Sequence, residues 1–382
     1  MIKVSIINAA CRARDAIGEA VHETCRAIEH HGNYEYQLYT FYSDAPDVNT
    51  CVVNGASEIL SDHFFLETDI VLIHFGFYTP LLNVLLGGTK DMVRIVRYHN
   101  ITPKEFVDPS IHHLIAASRE QLTLLDEADE IWADSPFNRD DLLHAGITKP
   151  RISVSPLFVK SAIRAGRISD KTGDDIINIL YVGRFVKSKG VIDLIEAIYR
   201  MPNRSKIQIR LVGATAYSDA GYIQYLKQKI AEYELQDVCT FVGEASDADL
   251  ANFYADSHLM VIPSYHEGFC VPLAEALIGG LFPIAYASGN IPNIIAGVGA
   301  LEPPGDIAAL SKTIARMVDW FREKRSISTS AVYVNGEKIT LQDYQLRVNT
   351  HVNQYDLKNF HRRIDDGIKT AVNRACNKHA TL

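Results

Sequence analysis

What most restricts the fold of this chain is an alternation of short apolar runs and helical patterns that proceeds, pauses and then starts again. "KVSII" is followed by "AIGEAVHETCRAIEHHG", then by "YQLYTFY", "DIVLIHF", "MVRIVRY" and "EIWADS". Runs this short and apolar suit strands buried on both faces, and the helical stretches between them supply parallel crossovers. The first helical stretch shows its period clearly: Ile17, Ala20, Val21, Thr24 and Ile28 fall on one face, with Gly32 as the expected stop. In "DSPFNRDDLLHAG", Ser135 stands at the cap and Pro136 at the first helical position. A first Rossmann-like domain is expected over residues 1–159.

A polar, glycine-containing stretch, "KSAIRAGRISDKTGDD", comes next and is expected to form a hinge linker over 160–175. At Ile176 the alternation resumes with "IINILYVG", a helix with Val191, Leu194, Ile195 and Ile198 in register, and then "IQIRLVG", "CTFVG", "LMVIPS" and "FPIAYA". The second domain is expected over 176–325. Within 326–348, Asn335-Gly336 between alternating apolar residues predicts a hairpin-like insertion. A helical tail over 349–382, helical from about Val352 to Ala375, could pack on either domain. Each half is a doubly wound α/β unit, whose ligands sit beyond the C-terminal strand ends, and two facing sheets imply an interdomain cleft.

Composition agrees with two globular domains. The 382 residues exceed one ordinary core, 47% are hydrophobic and 22% charged, and mean hydropathy is -0.02. A formal charge of -8 disfavours a nucleic-acid partner held by broad phosphate neutralisation and leaves small anionic ligands open. Cys11, Cys25, Cys51, Cys239, Cys270 and Cys376 stand at no metal-knuckle or redox spacing and read as reduced thiols. The opening "MIKVSIINAACRARD" reads as a first strand, not a signal peptide, and the apolar runs fall short of a membrane span. A cytoplasmic location is expected, with peripheral membrane contact open.

The chemistry-bearing stretch is "SYHEGFCVPLAEALIGG", which sets Glu267 and Glu275 eight positions apart. A strand should deliver the chain to a loop holding Glu267, and Pro272 should open a helix with Glu275 in its first turn. Two readings stand. Glu275 complements the helix dipole while Glu267 is a solvated loop residue, or both line a site where free N–H groups at the helix start receive an anion. "YVGRFVKSKG" favours the second, because Arg184 and Lys189 just past a strand end of the same domain can grip a diphosphate. Gly268 would admit a ligand close to the backbone.

His99, at the end of "MVRIVRYHN", is either a satisfied core histidine or a site residue on the ligand side of a parallel sheet, and His74 is a second candidate. His266 fits either reading. No metal or other cofactor is expected, since no His, Cys or carboxylate cluster stands at metal-ligand spacing.

"GRFVKSKG", "PSYHEGFCVPLAEA", "FVGEASDADLANFYADSHLMVIPS" and "RYHNITPKEF" resemble the retaining GT-B glycosyltransferases of family 4. The resemblance runs to about residue 320 and looks most like bacterial members that build cell-surface polysaccharides, including mannosyltransferases. It implies an α/β GT-B fold of two Rossmann-like domains facing a cleft. It also implies that Glu267 binds donor-sugar hydroxyls, Glu275 the ribose, and Arg184 and Lys189 the diphosphate, with Gly183, Gly268 and Phe269 in the donor site and His99 across the cleft. The implied partners are a nucleotide-sugar donor, GDP-mannose or a UDP-sugar, and a glycan or lipid-linked acceptor.

One departure is plain. Family members often carry a Gly-Gly loop after the first strand, whereas this chain reads "NAACRARDAIGE", with only Gly18 in place. Arg12, Arg14, Asp15 and Gly18, with His74 and Asn100, are therefore candidates for the acceptor side; loop charges are the alternative for the first three. Two rival functions use the same residues: a retaining sugar phosphorylase and a non-catalytic sugar-nucleotide-binding subunit. A hydride-transferring enzyme is disfavoured, as neither half opens with Gly-x-Gly-x-x-Gly.

Overall fold

The computed structural model describes residues 1–379 apart from 13–14, 90, 160–161 and 216–217, with only the helical course given for 375–379. It divides into two compact units, Met1–Phe158 with the chain from Leu357, and Val159–Asp356.

In the first unit β1 (Ile2–Ile7), β2 (Tyr34–Thr40), β3 (Thr50–Val52), β4 (Ile70–Phe75), β5 (Val93–Tyr98), β6 (Glu130–Ala133) and β7 (Arg151–Val154) form a parallel sheet. Their order is β3-β2-β1-β4-β5-β6-β7. The chain therefore builds outward from β1 in one direction and then crosses to the other side, which places a topological switch point between β1 and β4. Helix α1 (Ala16–His30) starts where the Asp15 side chain accepts the Gly18 N–H at 3.1 Å. Helix α2 (Pro136–His144) is capped by Ser135 as its sequence requires.

The second unit repeats this plan. Strands β8 (Ile177–Val182), β9 (Ile207–Val212), β10 (Cys239–Gly243), β11 (Leu259–Ile262), β12 (Phe282–Tyr286) and β13 (Ala300–Glu302) are parallel in the order β10-β9-β8-β11-β12-β13. Its switch point lies between β8 and β11. Helices α3 (Val191–Tyr199), α4 (Ala220–Glu232), α5 (Asp247–Asp256), α6 (Val271–Ile278) and α7 (Ile307–Arg322) make its crossovers and cover.

Three segments differ from the sequence reading, each for a local reason. The described part of the expected hinge, 162–175, is packed onto the second unit. Lys171 Nζ donates to the carbonyls of Tyr254, Ala255 and Ser257 at 3.0, 2.6 and 2.7 Å, which satisfies the open end of α5. Burial there pushes the Lys171 ammonium down to about 8, and the Gly166 N–H reaches the Ile278 carbonyl at 2.9 Å.

Next, β14 (Ala331–Val334) and β15 (Glu337–Thr340) form an antiparallel hairpin, with Asn335 at φ 49° and Gly336 at φ 85° as a two-residue primed turn needs. It leads directly into α8 (Leu341–Val352), whose Tyr344 is buried against Phe282, so 326–348 is not a separable insertion.

Finally, the tail is two helices. The turn Asn353–Tyr355 ends α8 in the second unit, and α9 (Leu357–His379) belongs to the first. Phe360, Ile364, Ile368 and Ala371 recur at helical spacing and bury against Val4, Ile6, Leu72, Ile95 and Trp132.

Candidate functional site

In the second unit the predicted donor residues gather at the C-terminal ends of β8 and β11, the switch point. Beyond β8 the chain passes Gly183 and Arg184, turns through Lys187–Lys189 and enters α3 at Gly190, which is left-handed at φ 62°. A side chain at Gly190 would run into the Pro263 carbonyl after β11, so glycine lets the two strand-end loops lie against each other. The Tyr265 N–H bonds the Ser188 carbonyl at 2.8 Å across the same seam. Together these contacts carry Lys189 Nζ to 2.7 Å from Glu267 Oε1, with the two side chains 17% and 13% exposed.

A third loop braces Glu267 from the other side. Gly289, after β12, has φ 53°, and a side chain there would collide with the Glu267 backbone. The Asn290 N–H donates to the Glu267 carbonyl at 2.9 Å and Asn290 Nδ2 to the Phe269 carbonyl at 3.2 Å. The carboxylate thus sits on a loop fixed at both flanks. Gly268 lies in that loop, and Phe269 is buried edge-on to Tyr355, ring centroids 5.6 Å apart.

Glu275 lies deeper than its sequence position suggested. Helix α6 begins at Val271, after a left-handed Cys270 at φ 77°, so Glu275 is a full turn inside the helix and buried. Tyr254 Oη donates to Glu275 Oε2 at 2.5 Å. Burial first, and then the adjacent carboxylate, holds the Tyr254 phenol well above its usual value. Burial does the same to the Cys270 thiol, which is no nucleophile. Arg184 is exposed and makes no ion pair with a described residue; its backbone carbonyl accepts from Tyr181 Oη at 3.0 Å.

Sequence reasoning missed two supports. Asp193, in the first turn of α3, is buried and accepts from Tyr265 Oη at 2.6 Å and Tyr286 Oη at 2.8 Å, anchoring the residues beside the Glu267 loop. It stands off the apolar face of its helix, so no pattern marked it. Tyr254 gave no signal either.

The first unit carries a polar row at its own switch-point edge. His74 Nδ1 is 2.9 Å from His99 Nε2. His99 Nδ1 is 2.6 Å from Asp134 Oδ2, and Asp134 Oδ1 accepts from Arg97 Nε at 2.9 Å. Both nitrogens of His99 are thus engaged inside the unit, and its side chain is 1% exposed. Arg97 Nη2 also donates to the Ser155 carbonyl at 2.8 Å, while its Cζ lies 4.9 Å from the Phe360 ring centroid of α9.

Among the acceptor-side candidates, Asp15 caps α1, a side chain at Gly18 would strike the Arg12 backbone, and the Arg12 guanidinium lies 5.1 Å from the Tyr42 ring centroid. Asn100 is buried at φ 85°, and Arg14 lies outside the described residues. Sequence reasoning proposed His74 and His99 and overlooked Asp134 and Arg97.

Among the described residues no group of three or more His, Cys, Asp or Glu is disposed to hold a metal ion. The triplet Asp247-Ala248-Asp249 is an Asp-x-Asp pattern that the sequence reading passed over. It forms the first turn of α5, where Asp249 is bonded to the capping Ser246 through its backbone N–H at 3.1 Å and its side chain at 2.7 Å. No helix among the described residues is long and apolar enough to cross a membrane.

Two parallel sheets of this order, with a lysine–glutamate pair at the second switch point, define a GT-B chain. Residues 167–329 match the family described as "Glycosyl transferases group 1". It is 28% identical, over 49% of its length and 44% of the relative's, to the MMP alpha-(1->4)-mannosyltransferase of Mycolicibacterium hassiacum. To the O-antigen chain mannosyltransferase B of Escherichia coli it is 26% identical over 38% of each chain. It therefore spans less than half the length of these curated relatives. The structure of Anabaena Alr3699/HepE in complex with UDP and glucose is similar over 97% of this chain and 100% of that one, at a TM-score of 0.72 and 15% identity.

Proposed function

We propose that this chain is a retaining hexosyltransferase that moves a sugar from a nucleoside-diphosphate donor to a hydroxyl of a glycan or lipid-linked acceptor in cell-surface polysaccharide synthesis. The observation that carries the reading is the Lys189–Glu267 pair at 2.7 Å, at the switch point of the unit that contains the whole family match. A cation and a carboxylate in contact at a strand end suit a ligand whose diphosphate and sugar hydroxyls lie side by side. Lys189 has three N–H donors, of which one meets Glu267, and with Arg184 it is assigned to the diphosphate.

In the reaction the bond from the anomeric carbon to the phosphate oxygen breaks, and its electron pair stays on the diphosphate. The acceptor oxygen bonds the same face of that carbon, and its proton passes to the leaving phosphate. Stabilising the departing charge is the main electrostatic demand, met by Arg184, Lys189 and the free N–H groups at the start of α6. Glu267 orients the sugar and Glu275 takes the ribose. The resemblance assigns His99 to the donor sugar, but both its ring nitrogens are taken by Asp134 and His74, so any part it plays toward the sugar is indirect.

Mannose, from GDP-mannose, is the favoured sugar because both curated relatives above are mannosyltransferases by name; a UDP-sugar is the second choice, supported by the UDP-bound Anabaena structure. We place the reaction in the cytoplasm, peripheral to the membrane's inner face, since the five described cysteines are free thiols. The test is a panel of nucleotide sugars scored for thermal stabilisation and for donor consumption with acceptor glycans. GDP-mannose should stabilise the protein most and yield an α-linked product. If no nucleotide sugar binds, the reading fails.

A further inference from the structure

The polar row of the first unit has a direction that hydrogen-bond accounting fixes. The carboxylate of Asp134 accepts from Arg97 at one oxygen and faces His99 Nδ1 with the other, so His99 carries its proton on Nδ1. With one proton per ring, His99 Nε2 is a lone pair, and it lies 2.9 Å from His74 Nδ1. His74 must then donate, which places its only proton on Nδ1 and leaves Nε2 bare.

Three further facts support that chain of assignments. His74 is fully enclosed, and burial, the leading cause, drives its imidazolium form well down. Its Nε2 is buried with no hydrogen-bond partner among the described residues. At the other end the row cannot reverse, because Arg97 has no acceptor atoms and is gripped by Asp134, the Ser155 carbonyl and the Phe360 ring. A buried acceptor without a donor costs stability, so something should supply the proton. His74 is the penultimate residue of β4 at the switch point beside β1, where ligands of such sheets collect.

We propose that Asp134, His99 and His74 form a one-way tautomer relay that leaves His74 Nε2 as the acceptor for a single hydroxyl, with Asp134 and Arg97 as positioning residues. The hydroxyl belongs to a sugar ligand or to an enclosed water. The relay itself is independent of the sugar-transfer reading; only the kinetic part of the test rests on it.

Nitrogen-15 histidine spectra of the full chain test the relay directly, with ring signals assigned through His74→Gln and His99→Gln. In the wild type both rings should be neutral and protonated at Nδ1. Asp134→Asn should reverse both, because an amide N–H can donate to His99 Nδ1 and send each ring proton to Nε2. A wild-type His74 protonated at Nε2, or a doubly protonated His99, would overturn the proposal whether or not Asp134→Asn folds. Titration separates the two hydroxyl sources: a His74 Nε2 shift with GDP-mannose but not with GDP identifies the sugar, and no shift with either identifies water. If the sugar is the source, His74→Leu should lower kcat about tenfold to a hundredfold, and His74→Gln, which keeps an acceptor, should recover part of it. A wild-type enzyme with no transferase activity would sink the proposed function and leave the tautomer assignment standing.

Discussion

The two switch-point edges have the same topology and opposite construction. In the second unit the ionisable pair Lys189–Glu267 sits on loops, partly open, and is positioned by close backbone approaches at Gly190 and Gly289. In the first unit the charges of Arg97 and Asp134 are sealed in the core and positioned by strand register and by one another. Loop charges held by backbone can be exchanged at little cost to folding, whereas core charges are mutual supports. The same fold position therefore gives one edge suited to binding an incoming polyanion and another that is rigid before any ligand arrives.

The sharpest way to break that contrast is to remove one core charge. Asp134→Ala leaves Arg97 buried without its carboxylate, and denaturant unfolding should show a loss of about 3–5 kcal/mol. A loss as small as that of an exposed pair would mean the first edge is no more committed than the second. Lys189→Ala should do the reverse: transfer should fall by about 10²–10³ through lost charge stabilisation, while the melting temperature stays near that of the wild type. Steady-state kinetics alongside calorimetry would show it, and unchanged turnover would remove Lys189 from the diphosphate.

Tyr254→Phe probes the place where the second edge resembles the first. The phenol is buried and bonded to Glu275, so deleting one oxygen should cost about 1–3 kcal/mol by leaving a buried carboxylate oxygen short of a donor. It should also weaken nucleotide binding if Glu275 serves the ribose. Calorimetry and nucleotide titration separate those effects, and a variant that loses stability but binds nucleotide as before would confine Glu275 to a structural role.

How much was legible in the sequence follows the same divide. The strands and helices were readable because each is encoded locally, by apolar runs or by a capped amphipathic face such as that of α1. The loop proposed to hold the donor drew attention because Glu267, Gly268 and Glu275 lie within one short stretch. Its partner Lys189 is 78 residues away; only β8–β11 adjacency brings the two together, and the family resemblance, not spacing, assigned both to one ligand.

The first unit's relay was only half visible. His74 and His99 stood out at strand ends, but Asp134 was hidden beside Ser135, the residue that caps α2, and Arg97 looked like one of two arginines in its strand. Three strand ends must align before those four residues form a row. The hinge reading failed, and the tail's packing partner stayed open, for a related reason: composition shows that a segment is polar or amphipathic, not what it will pack on. Lys171 found the open carbonyls of α5, and the Phe360 face found the first unit's sheet.

The smallest expected effect compares how the two units respond to acid. Burial is the leading cause that lowers His74 in the first unit and His258 and His351 in the second below the usual histidine value. A base with a depressed folded-state value binds its proton more readily when unfolded. Stability is therefore full above about pH 6.5, declines as the pH falls through the window down to the folded values, and levels off below them. Melting temperatures from pH 7.5 to 5 should trace that decline, above the range where most carboxylates titrate. His74→Gln should flatten it more than His351→Gln, because His74 is fully enclosed beside another histidine and Arg97, whereas His351 keeps a bond to the Ile294 carbonyl that raises its affinity for protons. Equal slopes in the two variants would show that the first unit's row yields to protonation as readily as His351 of the second unit, and the contrast in rigidity between the two edges would not hold.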